Sequence, residues 1–139
     1  MKKVALFGDS ILFGIIIQNG KYAKNKDFDL RKVASEYDLD LLNISQMGRN
    51  STEGVQTVKD YLALHPAPDY AVIEFGGNDA DYDWATITKS PTPSYPKIPT
   101  QKFVENLTEI AEILENVGDR KSTRLNSSHA ELSRMPSCA

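Results

Sequence analysis

The sequence predicts a doubly wound α/β layer, and three observations carry that reading. Strand-like runs recur at residues 4–7, 39–44 and 70–75, the first of them apolar throughout, as suits a strand covered on both faces. Segments with helical spacing of apolar residues stand between and after them. Each strand-like run is also left through a glycine-containing polar loop, so strand, loop and helix alternate as a parallel layer requires.

Taken in order, residues 4–7 are entered from Lys2 and Lys3 and left through Gly8, Asp9 and Ser10. Residues 11–17 can open the following helix, against the pull of Gly14 and a β-branched run. Asn19-Gly20 and residues 25–27 read as loop. Leu30, Val33, Ala34 and Tyr37 predict a helix over 29–37 with one buried face. After the strand at 39–44 and the polar loop 45–50, Ser51 or Thr52 can cap a helix whose apolar stripe is Val55, Val58 and Leu62. His65-Pro66 and Pro68-Asp69 end it. The strand at 70–75 closes on Gly76-Gly77, and residues 79–99, rich in Asp, Thr, Ser and Pro, predict a long loop beside the sheet. Phe103, Leu107, Ile110, Leu114 and Val117 mark the clearest helix, ended by Gly118. Such a layer then needs another strand. Residues 119–139 contain no run of four apolar residues, so no strand is expected there and the layer should be incomplete at its C-terminus.

Composition narrows the class. With 139 residues, 40% hydrophobic and 25% charged, the chain suits one modest domain. A net charge of -3 gives no support to a nucleic-acid or anionic-membrane partner. The one cysteine, Cys138, cannot form an intrachain disulfide, and no C-x-x-C pair exists to hold a metal. The apolar run after Lys2 and Lys3 is too short for a secretory signal, and residues 11–17 are too short to span a bilayer, so a cytoplasmic location is the default.

In parallel α/β sheets, sites form outside the carboxyl ends of the strands. Three segments qualify: Gly8-Asp9-Ser10, Met47-Gly48-Arg49-Asn50 and Gly76-Gly77-Asn78-Asp79. A serine at a strand-to-helix turn exposes its hydroxyl and points its N–H outward, which are the requirements of an acyl-transfer nucleophile with one oxyanion donor. Gly48 can bring a second backbone N–H to the same point, and Asn78 a side-chain N–H. Singly, each segment is also an ordinary turn, because Gly, Asn and Asp all favour one. Their shared place after successive strands favours a common site.

Gly8-Asp9-Ser10-Ile11 resembles the first block of the GDSL, or SGNH, hydrolases, residues 43–48 resemble the second, and Gly76-Gly77-Asn78-Asp79 the third. The resemblance covers roughly residues 2 to 118. It implies a flavodoxin-like three-layer α/β/α sandwich and hydrolysis of carboxylic esters without metal or organic cofactor. It further implies Ser10 as nucleophile, an oxyanion hole of Ser10, Gly48 and Asn78, and structural roles for Asp9, Gly77 and Asp79. The partner implied is a small acyl ester.

The family's last block, an aspartate three residues before a histidine, has no counterpart, since no Asp-x-x-His occurs in the chain. His65 ends a helix running back from the active edge and is expected on the opposite side, and His129 is expected to be a surface residue. Residues 120–129 resemble the translation of a sequencing-adapter read-through, which implies that 1–118 is the N-terminal portion of the domain and 119–139 a tail outside it; composition alone would also permit a disordered tail. Two other readings stay open. One is a catalytically inactive fragment. The other is a flavodoxin-like small-ligand domain, against which the lack of G-x-G-x-x-G and of a P-loop counts.

Overall fold

A computed structural model describes residues 1–82, 84–89, 96–117 and 123–125. Its centre is β1, Lys2–Gly8, which pairs in parallel with β4, Leu39–Asn43, on one side and β5, Tyr70–Glu74, on the other. A short strand β6, Thr123–Leu125, pairs in parallel with β5, giving the order β4-β1-β5-β6. That is the strand order of a flavodoxin-like sheet, and the predicted fold class is the one observed.

The first strand reads as sequence physics requires. Val4 to Gly8 are buried without alternation, because β1 is flanked by strands and covered by helix. Helix α2, Ser51–Leu64, and helix α5, Thr100–Val117, pack against one another, and α2 lies on β1. Between them and the sheet, Phe7, Ile73, Phe75, Val58, Phe103 and Ile110 are fully buried. Each such side chain contributes about 1.5–3 kcal/mol of apolar burial. Tyr61 of α2 presents an edge-on ring to Phe7, with centroids 5.3 Å apart. Gly54 lets α2 sit this close: a Cβ there would stand 2.5 Å from Phe75 Cζ. Helix α1, Leu30–Glu36, packs on β4.

Several expectations are corrected. Residues 11–17 do not open a helix: a turn leads into β2, Ile15–Gln18, paired antiparallel with β3, Lys21–Lys24. Gly14 takes φ +83, Ile15 to Ile17 prefer extended backbone, and Asn19 (φ 54) with Gly20 (φ 73) form the two-residue hairpin turn that Asn-Gly favours. The helix predicted over 29–37 exists, with Asp29 as its N-cap, but it buries no residue. Helix α2 is capped by Asn50 instead of Ser51 or Thr52: Asn50 and Glu53 form a reciprocal capping box, and Ser51 becomes the first helical residue. The segment predicted as a long loop contains short helices α3, Gly77–Ala80, and α4, Trp84–Ile87, and Tyr82 bridges to Pro96. Val117 of the α5 stripe is exposed. A strand does follow α5. The N–H and C=O groups along the outer edge of β5 accept Thr123–Leu125 through backbone pairing, which needs no apolar run. The helix-ending role of Gly118, and both His129 and Cys138, lie outside the described residues.

Candidate active site

The first strand ends at Gly8, where no larger residue fits: a Cβ there would lie 2.8 Å from the Glu74 carbonyl oxygen and 3.0 Å from Glu74 Oε2. The chain then turns sharply. Asp9, buried at 1% exposure, accepts the Ile11 N–H on Oδ1 at 2.9 Å, and its carbonyl accepts the Phe13 N–H at 3.0 Å. The Ser10 carbonyl accepts the Ile15 N–H at 2.9 Å, which joins the turn to the β2–β3 hairpin. Ser10 therefore sits half-buried at an aspartate-centred turn and not at a helix start. Among the described residues nothing accepts its amide or hydroxyl hydrogen.

The second segment closes on the first through Gln46, whose N–H donates to the Gly8 carbonyl at 3.1 Å, and through Asn43, whose Nδ2 donates to the Leu12 carbonyl at 3.0 Å. Asn43 Oδ1 also accepts the Ser45 N–H at 3.0 Å. Gly48 is exposed with φ +81, and a Cβ there would meet nothing within 4 Å. It is the backbone conformation, and not close approach, that asks for glycine here. The Arg49 guanidinium is held by the Ile44 carbonyl at 3.1 Å and by the Gln46 side chain.

The third segment follows β5. Gly76 takes φ 142, a conformation side chains rarely adopt, so the glycine demanded by the backbone is this one and Gly77 begins α3. A Cβ on Gly77 would make ordinary contact with Asp9 Oδ2 at 3.7 Å. Asn78 Nδ2 donates to the Arg49 carbonyl at 2.9 Å and reaches Asp9 Oδ2 at 3.5 Å. Asp79, 1% exposed, accepts the Ser51 N–H at 2.9 Å and the Ser51 hydroxyl. Asn106 of α5 donates to Ser51 Oγ at 2.8 Å and Thr52 Oγ1 at 2.9 Å. The Asn78 side chain thus joins Asp9, the residue before Ser10, to Arg49, the residue after Gly48, while Asp79 is tied to Ser51.

Sequence reasoning missed Glu74. Its carboxyl lies under the Ser10 turn and is pushed up to about 7, first by burial and then by the adjoining Asp9 carboxyl. The available signal was a charged residue inside the apolar run YAVIEF. Asn43, Ser51 and Asn106 were also missed; their types suit many loops and helix faces, and only tertiary placement selects them. His65 is exposed, C-caps α2 and stacks on Tyr61 at 4.7 Å; among the described residues no bond or ring contact joins it to Ser10. A cleft of about 340 Å³ beside Gly48 is walled by Gln46, Met47, Arg49, Glu53 and Gln56. A second, of about 430 Å³, runs between Phe13, Ile44, Tyr61, Leu64 and His65. Neither is lined by Ser10 or Asn78. Among the described residues no cluster of His, Cys, Asp or Glu could hold a metal, and no helix is long and apolar enough to cross a membrane.

No protein-family model matches the chain, and no curated protein matches it. Solved structures do. A lipase/acylhydrolase from Enterococcus faecalis is 26% identical, with a TM-score of 0.60 over 98% of this chain and 64% of its own. TesA is 21% identical, with a TM-score of 0.59 over 89% of this chain and 59% of its own. AlinE4, an SGNH-hydrolase family esterase, is 21% identical, with a TM-score of 0.58 over 89% of this chain and 57% of its own. The chain therefore spans about three-fifths of the length of these structures. It has the fold of the SGNH hydrolases, with the Ser10 turn, the Gly48 loop and the Asn78 helix at the carboxyl ends of successive strands.

Proposed function

We propose that this chain carries the nucleophile and oxyanion hole of a serine ester hydrolase acting on a small carboxylic ester. One observation carries the reading: Asn78 Nδ2 contacts both the Arg49 carbonyl and Asp9 Oδ2, so the segments after all three predicted strands meet beside Ser10. Esterases and lipases with the same fold support it.

In this reading Ser10 Oγ attacks the ester carbonyl carbon as its proton passes to a histidine. The carbonyl oxygen becomes an oxyanion, held by the N–H groups of Ser10 and Gly48 and by Asn78 Nδ2. Collapse expels the alcohol, which takes the histidine's proton, and leaves an acyl group on Ser10. Water, deprotonated by the same histidine, then releases the acid. Asp9 and Asp79 shape the turns that present these groups, and Gly77 opens α3. Asn78 serves by exchanging its long 3.5 Å contact with Asp9 for the oxyanion. No Asp-x-x-His occurs in the sequence, and this reading assigns the histidine to no residue between 2 and 118.

The test is hydrolysis of a short-chain p-nitrophenyl ester by the whole protein and by its Ser10→Ala variant. Loss of hydrolysis to background in a folded variant is expected. Retention of most of kcat would remove Ser10 from the mechanism.

A further inference from the structure

Glu74 ends β5 and is only 8% exposed, yet nothing in an ester-hydrolysis mechanism calls for it. Its Oε2 accepts the N–H groups of Asp9 and Leu12, each at 3.3 Å. These amides lie on either side of Ser10, so one oxygen pins both ends of the turn that presents it. Gly8 keeps the space: a Cβ there would stand 3.0 Å from the same oxygen. The Asp9 carboxyl adjoins that of Glu74 and, after burial, favours its protonated form.

We propose that Glu74 is a positioning residue for Ser10, its side chain pinning both ends of the Ser10 turn to β5 while it faces the Asp9 carboxyl. The inference rests on the reading of Ser10 as nucleophile. Among the described residues, Asp9 is the charged group facing Glu74. Asp79 on α3 is turned to Ser51, and Asn106 on α5 to Ser51 and Thr52. The two N–H bonds favour the ionised Glu74, but burial and the facing Asp9 carboxyl outweigh them, so loss of the proton sets the two carboxyls against one another and strains the turn held between them. Burial, and then the Asp9 carboxyl, hold the Glu74 group up to about 7, which brings this strain to neutral pH.

The Gln variant separates this from a merely structural role. Glutamine keeps a carbonyl for the two amides and an N–H for Asp9, but cannot ionise. In the isotope-labelled chain, the Glu74 carboxyl carbon and the Asp9, Ser10 and Leu12 amides are followed by NMR from about pH 5 to 9. A shared midpoint near 7 is expected in the parent, and none at these amides in Glu74→Gln. Above the midpoint, hydrogen exchange at Leu12 should accelerate roughly tenfold beyond its intrinsic pH dependence in the parent but not in Glu74→Gln. Glu74→Ala should exchange fast at every pH, with Glu74→Gln restoring protection. Asp9→Asn should move the Glu74 midpoint toward acid, since the facing carboxyl is gone. The inference is overturned if Glu74 titrates while the amides stay still, or if Glu74→Gln keeps the parent's midpoint. Ester hydrolysis by the Ser10→Ala variant of the whole protein reports separately. Retained hydrolysis would overturn the nucleophile reading, and with it any catalytic meaning of the positioning, even where the amide titration appears as expected.

Discussion

Asn78 donates to the carbonyl of Arg49 at 2.9 Å, tying the start of α3 to the loop that precedes α2. One amide group thereby fixes the distance between two of the three segments around Ser10. In the proposed mechanism the same group is offered to the developing oxyanion, so its loss would act on both geometry and charge.

Asn78→Ala is expected to lower kcat/KM of the whole protein on short p-nitrophenyl esters by roughly 10² to 10³, the range for one oxyanion donor. The effect should fall mainly on kcat. A change below about threefold would make Asn78 a turn residue and nothing more.

The Glu74 carboxyl ordinarily titrates near 4.5 and is raised to about 7 in the fold. The folded chain therefore binds this proton more tightly than the unfolded chain. Its contribution is full below about pH 4.5 and is lost as pH rises through about 7. Urea melts near pH 5 and pH 8 should show the parent losing more stability than Glu74→Gln. Equal losses would place the titrating group elsewhere.

Gly54→Ala should destabilise the fold by about 1–3 kcal/mol, because the new methyl would meet Phe75 Cζ at 2.5 Å and Cε2 at 2.6 Å on a fully buried ring. Thermal melting reads this directly. An unchanged midpoint would mean that α2 rides away from the sheet at no cost.

Asp79→Ala strips the buried Ser51 amide and hydroxyl of their acceptor. The expected cost is about 2–4 kcal/mol, from buried donors left without partners. Ser51→Ala in the Asp79→Ala background should add little, since the two residues act as one unit. Full additivity in this double-mutant cycle would show that they do not.

The fold class was legible because it rests on features that local sequence carries. Residues 4–7 are apolar throughout and α5 repeats its apolar residues at helical spacing, and both elements stand where expected. The hairpin was not read. An apolar run after a strand looks like a helix by hydrophobicity, and the decisive signals were Gly14 and Asn19-Gly20. The cap of α2 was missed by one residue, since Asn50, Ser51 and Thr52 are all good caps and only the pairing with Glu53 selects among them. The segments bearing Ser10, Gly48 and Asn78 stand at the strand ends where the sequence puts them, whereas Glu74, buried beneath the Ser10 turn, was passed over as part of a strand.

The pairing of Val4 with Tyr70 sets β1, which leads into Ser10, beside β5, which ends in Glu74, although residues 9–69 lie between the two strands. During synthesis the hairpin of β2 and β3 can close by local contacts, while β1 must wait for β5 to emerge. The clamp on the Ser10 turn is expected to form only then, so its surroundings are assembled late even though it lies near the start of the chain. Pulsed hydrogen exchange during refolding checks this order: the Leu12 amide should gain protection together with the amides of β5 and after those of the hairpin.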